Sequence, residues 1–170
     1  MQKYFSWGDI KGQNKNGSGS YSFSENNYKA GICGKGHTLT GNIPQGNATY
    51  DAARANLDAP YKMPTNAQGK ELVDGTTSEW TSINSVNGRK FISKTDTSKY
   101  IFIPAAGNWR DMTYENSGTF GHYWSTIYSS SNYTSSFAIY ISAAHTFVGD
   151  YTPALANIRW RYGLSIRPIK

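Results

Sequence analysis

From Trp80 onward the apolar residues recur at every second position, while helical spacing is confined to two short segments upstream. A chain patterned this way must fold around a sheet and can hold little helix. Residues 80–83 and 89–92 flank Val86-Asn87-Gly88, and the Asn-Gly pair places a hairpin turn there. Tyr100-Ile101-Phe102-Ile103 is apolar on both faces and predicts a central strand that ends at Pro104. Further strands are expected over residues 4–10, 123–128, 137–141 and 164–169. Gly, Asn and Ser dominate 11–24 and 31–46, which read as irregular loops. Long polar loops are expected over 107–121, 129–135 and 145–157, and loops of this length in a compact domain are usually functional.

The two helices carry their own local signals. Tyr50, Ala53 and Leu57 share one helical face, with Thr49 or Asn47 as the cap. After Pro64, Thr65 and Gln68 form a capping box, Leu72 and Val73 supply apolar contacts, and Gly75 stops the helix. No repeat or linker divides the 170 residues, which suit a single domain over 1–170.

Charged residues are 16% of the chain and aromatics 15%, with 13 tyrosines. That balance favours a compact surface of neutral polar groups over a charge-covered cytosolic enzyme or a disordered tail. Cys33 is the one cysteine, so no internal disulfide framework exists. No apolar stretch approaches bilayer length, and residues 1–10 lack a basic-then-apolar export signal. Membrane insertion is therefore not expected, and export would use a signal lying elsewhere or none.

The net charge of +6 comes from scattered basic residues. Arg159, Arg161 and Arg167 alone gather near an aromatic, Trp160, so a nucleic-acid surface ranks last among the functional readings. Cys33-Gly34-Lys35-Gly36-His37 resembles a phosphate loop only superficially, because no Lys-Ser/Thr pair opens a helix after it.

Between Phe120 and Ile169 the strand pattern alternates with Tyr, Trp, Asn, Ser and Arg. Rigid aromatics beside adaptable amides and guanidinium groups are what recognition surfaces use. The candidate ligand-binding residues are Trp109, Arg110, His122, Tyr123, Tyr128, Asn132, Tyr133, Tyr151, Asn157, Arg159, Trp160 and Arg161. Trp124, Phe137, Ile139, Ile141, Leu164 and Ile166 are expected in the core.

Several motifs occur in a familiar order. Tyr4-Phe5-Ser6-Trp7-Gly8-Asp9 is followed by Asp51-Ala52-Ala53-Arg54-Ala55-Asn56-Leu57, Tyr61-Lys62-Met63-Pro64-Thr65 and Phe102-Ile103-Pro104-Ala105-Ala106-Gly107. Gly121-His122-Tyr123-Trp124-Ser125-Thr126 and Arg161-Tyr162-Gly163-Leu164-Ser165-Ile166-Arg167-Pro168 complete the set. The chain thereby resembles bacterial and phage domains with the C-type lectin fold, specifically the major paralogous and tip-adhesin type domains of gut bacteria and their phages. Some of these are variable targets of diversity-generating retroelements.

The resemblance implies an α+β, C-type lectin-like fold: a twisted antiparallel sheet with two short helices and long surface loops. It also implies that the loops after Ala106 and before Tyr162 share one outer face. The expected function is non-enzymatic recognition of a cell-surface protein or glycan by an extracellular, cell-surface or virion domain. The alternative is a structural subunit of a phage tail, fibre or pilus. Relatives usually carry a strand ahead of Tyr4, where this sequence has only Met1, Gln2 and Lys3. An upstream domain or neighbouring subunit is therefore expected to cover that sheet edge.

Neither cofactor nor metal is expected. The calcium motifs of animal C-type lectins, Glu-Pro-Asn, Gln-Pro-Asp and Trp-Asn-Asp, are missing from the sequence. The formylglycine-generating enzymes of similar fold rely on cysteine pairs or copper-binding cysteines. Asp111 with Glu115, and His122 with His145 and Asp150, are the remaining catalytic or metal candidates, and they read as surface groups without the short-range spacing such chemistry needs.

Overall fold

The computed structural model describes residues 3–14, 41–128, 138–148 and 160–170. In chain order the elements are β1 (Lys3–Tyr4), β2 (Gln13–Asn14), α1 (Ala52–Asn56), α2 (Asn66–Gly75), β3 (Thr76–Ile83) and β4 (Val86–Ser93). They continue with β5 (Tyr100–Pro104), β6 (Ala106–Arg110), β7 (Thr113–Ser117), β8 (Phe120–Trp124), β9 (Ala138–Ser142) and β10 (Thr146–Val148). The arrangement is α+β and mostly strand. β1 pairs with β2, β3-β4-β5 form a three-stranded sheet, and β10-β9-β8-β6-β7 form a five-stranded one. Pairing is antiparallel except between β6 and β8, which meet in parallel at Gly107 and Gly121. No helix among the described residues is long and apolar enough to cross a membrane.

α2 forms where its local chemistry places it. Gln68 N donates to Thr65 Oγ1 at 3.2 Å and Thr65 N donates to Gln68 Oε1 at 2.9 Å, closing the capping box. Thr65→Ala should cost about 1 kcal/mol, read as a lower urea midpoint at unchanged slope. The helix lies close on the five-stranded sheet at Gly69, where a Cβ would come within 2.9 Å of Val148 Cγ1 and 3.3 Å of Ile139 Cγ1.

The cap of α1 is Asp51, not Thr49 or Asn47. Those two close the preceding turn, with Thr49 N donating to Asn47 Oδ1 at 2.9 Å. The hairpin turn likewise sits at Asn84 and Ser85, whose φ values of 50° and 62° suit the paired left-handed residues of a tight hairpin. Asn87 and Gly88 lie inside β4, and a Cβ on Gly88 would fall 2.3 Å from the Ile103 carbonyl oxygen and 2.6 Å from the Phe102 ring. This glycine is there for a close approach between strands.

β5 is an edge strand rather than a central one, with Tyr100 53% exposed. Its outer apolar residues serve local packing: Phe102 covers Gly88, and the Lys90 ammonium stands 4.6 Å from the Tyr100 ring. Residues 107–121 are not a loop but contain β7 and most of β6. Their polar side chains are used across the pair, where Asn116 Nδ2 donates to Asn108 Oδ1 at 3.0 Å and Asn108 Nδ2 donates to Glu115 Oε1 at 3.3 Å.

The strand expected over 123–128 runs instead from Phe120 to Trp124. The one expected over 4–10 is reduced to β1, while β2 occupies part of the expected loop over 11–24. The C-terminal run forms no continuous strand. It makes isolated bridges at Gly163, Leu164, Ser165 and Ile169 to Trp109, Phe5, Tyr123 and Lys62 in turn, because it crosses several elements. The expected loop over 145–157 begins with β10; residues 149–157, the loop over 129–135, and residues 15–24 and 31–40 of the early loops lie outside the described residues.

The core has two parts. Trp7, Ile43, Met63, Trp124, Trp160 and Leu164 belong to one, and Phe91, Ile103, Tyr123, Ile139 and Ile141 to the other. Trp124, Ile139, Ile141 and Leu164 are buried as expected, Ile166 is half-buried, and Phe137 lies outside the described residues.

Candidate functional site

The run from Trp160 to Gly163 is clamped between the N-terminal segment and β6. Trp7 N donates to the Trp160 carbonyl at 2.7 Å, and Ser6 Oγ to the Arg161 carbonyl at 2.8 Å. Trp109 and Gly163 exchange both backbone hydrogen bonds, at 2.8 and 2.9 Å. These contacts hold Tyr162 beside the β6–β7 tip, which turns at Asp111 with φ 53°.

Two guanidinium groups flank the Tyr162 ring. Arg110 Cζ lies 5.9 Å and Arg161 Cζ 5.6 Å from its centroid, within the range of cation–π attraction. Arg161 Nε donates to Asp111 Oδ1 at 3.1 Å, which fixes one arginine and half-neutralises the pair. Arg110 is exposed and makes no hydrogen bond or ion pair with the described residues. Met112, 79% exposed, sits at the turn. Tyr162 itself is buried, 7% exposed, in the same cluster as Trp160, so it backs the arginines from beneath. The exposed Arg110 guanidinium and the flexible Met112 thioether on a two-strand support can take up a carboxylate or sulfate group and pack its apolar surroundings.

Other expected contacts are placed elsewhere. Trp160 is 3% exposed, with its ring stacked 5.4 Å from Tyr128 and 6.1 Å from Trp7. It belongs to the core, because the N-terminal segment closes over it, and Tyr128 is half-buried in the same stack. Tyr123 is also a core residue, 2% exposed, with its hydroxyl donating to the Pro104 carbonyl at 2.6 Å; burial pushes that hydroxyl's pKa up. Trp109 is half-buried and tilted against Tyr114 at 5.5 Å. Asn132, Tyr133, Tyr151, Asn157 and Arg159 lie outside the described residues.

His122 is buried against Tyr140, ring centroids 5.0 Å apart, rather than presented to a ligand. Burial without a charged partner pushes its pKa down to about 4. The unfolded chain takes up this proton near pH 6.5, so the neutral ring's contribution is complete above that pH and is lost as pH falls toward 4. Wild-type stability should drop by roughly 2 to 3 kcal/mol more than that of His122→Phe between pH 7 and 4.5. Urea unfolding of both proteins at the two pH values checks this, and parallel profiles would exclude His122 as the source.

Of the carboxylates weighed as catalytic, Asp111 pairs with Arg161 and Glu115 accepts from Asn108. His145 is exposed, and Asp150 lies outside the described residues. No group of three His, Cys, Asp or Glu side chains among the described residues stands close enough to hold a metal. Met112 was not among the expected ligand contacts. The one available signal for Met112 was an isolated apolar residue in a polar stretch.

Compared with known proteins, the chain matches no family model, no curated protein and no solved structure.

Proposed function

We propose that this is a non-enzymatic ligand-binding domain of C-type lectin-like fold, a receptor-binding or adhesin module that acts at a cell or virion surface. It docks a surface protein or glycan at the β6–β7 tip, beside Arg161. The observation that carries the reading is the pairing of Arg110 and Arg161 about Tyr162 beside exposed Met112, all held by the Trp109–Gly163 backbone pair. Support for the fold assignment comes from the two short helices and from the Phe5–Leu164 bridge that joins the N-terminal segment just after β1 to the chain's last segment. Membership among retroelement-diversified targets rests on the sequence motifs alone.

The test is a glycan array run beside a pull-down from bacterial envelope and host surface extracts. An acidic glycan or a protein with an acidic patch is expected to bind; silence in both assays would remove the reading. The competing role, a tail, fibre or pilus subunit, is favoured by the exposed Tyr100 and Val86 on the three-stranded sheet. Light scattering separates the two: a monomer supports the receptor-binding role, whereas a ring or trimer supports the structural one.

A further inference from the structure

A cleft of about 570 Å³ opens between α1, the N-terminal strand and the C-terminal segment, a size typical of small-molecule sites. It is separate from the Arg110–Tyr162–Arg161 face, being lined by other residues. Phe5, Ala53 and Tyr123 are buried at its lining, and Leu57 and Val86, 43% and 47% exposed, stand at its mouth. An apolar lining of this kind asks for an apolar occupant.

The charged groups narrow the choice. Lys3 and Arg167 are the charged side chains lining the cleft, both cationic, with no carboxylate among them. Lys3 Nζ donates to the neutral Asn56 Oδ1 at 2.9 Å and makes no ion pair among the described residues. Arg167 is exposed and makes no hydrogen bond or ion pair with the described residues. Arg167 and Tyr123 line the same cleft. Two cations without an ion pair among the described residues, at an apolar cleft, are complementary to a single anionic head on an apolar body, and a carboxylate matches the arginine fork with two parallel hydrogen bonds.

We infer that this cleft is a binding site for a small amphiphilic carboxylate, with the head held by Arg167 and Lys3 and the apolar body lying on Phe5, Ala53 and Tyr123. Octanoate is the probe, followed by calorimetry and by amide chemical shifts of the full chain. Saturable binding that perturbs Ala53, Leu57 and Ile166 is expected, with acetate and octanol each at least ~10-fold weaker, because each lacks one half of the match. Arg167→Gln should weaken octanoate by ~10-fold or more, Arg167→Lys should weaken it by less because it keeps the charge and loses the fork, and Lys70→Gln, at an exposed α2 position outside the cleft, should leave it unchanged. Octyl sulfate binding as tightly as octanoate would overturn the carboxylate assignment. Equal binding of octanol, indifference to Arg167→Gln, shifts confined to another surface or no saturable binding would overturn the site.

Discussion

Replacing Trp160 by Ala should cost about 3 to 5 kcal/mol, the same range as Trp124→Ala, through lost apolar transfer and the cavity left behind. Both side chains are buried, at 3% and 0% exposure, in one cluster. Trp160 also completes a stack with Tyr128 and Trp7, and aromatic pairs of this kind contribute about 0.5 to 1.5 kcal/mol beyond area. Its carbonyl holds the Trp7 backbone N–H, so the cavity would open where the two chain ends meet. Arg110→Ser, a change at an exposed position, should stay within about 0.5 kcal/mol of wild type. Urea unfolding of the three variants makes the comparison. A Trp160→Ala loss under about 1 kcal/mol would return this residue to the surface.

Asp51→Ala should also be severe, at about 3 kcal/mol, because three backbone donors, of which Met63 N is buried, lose their acceptor together. The carboxylate is 0% exposed and reaches three segments at once. It accepts from Gly46 N at 2.9 Å, from Arg54 N at 3.1 Å as the cap of α1, and from Met63 N at 3.1 and 3.0 Å. Asp51→Asn keeps one acceptor oxygen and should lose about half as much. The measurement is the urea midpoint of each variant, with α1 content followed by amide exchange. An alanine variant within about 1 kcal/mol of wild type would mean that water replaces the carboxylate.

What the sequence discloses and what it hides divide along the range of the interactions. α2 was legible to its last residue because Thr65, Gln68 and Gly75 act on their own backbone neighbours. The β3–β4 hairpin was legible as an object, yet its turn was not, since Asn87-Gly88 outweighs Asn84-Ser85 on turn chemistry. The demand on Gly88 comes from Ile103 and Phe102 in the next strand. β6 and β7 were illegible because Asn108, Glu115 and Asn116 look solvated until the hairpin pairs them. Trp160 misled for a similar reason: Asn157, Arg159 and Arg161 around it imply a loop surface, and nothing local announces that Trp7 and Tyr128 enclose it. Arg110 and Arg161 were named as ligand contacts from their type, but their meeting at Tyr162 depends on the Trp109–Gly163 pair, which no local pattern encodes.

The central claim is that the β6–β7 tip, with Arg161 beside it, forms the recognition face. It is tested most directly by the affinity of an Arg110→Ser/Met112→Ser double variant for the surface molecule captured by the wild type. Both positions are exposed, so the variant should unfold with wild-type cooperativity and a midpoint within about 1 kcal/mol of wild type. Its affinity should nonetheless fall by ~10-fold or more, as expected when a charge-assisted contact and its apolar neighbour are lost together. Wild-type affinity in a folded double variant would contradict the claim and move recognition off this face.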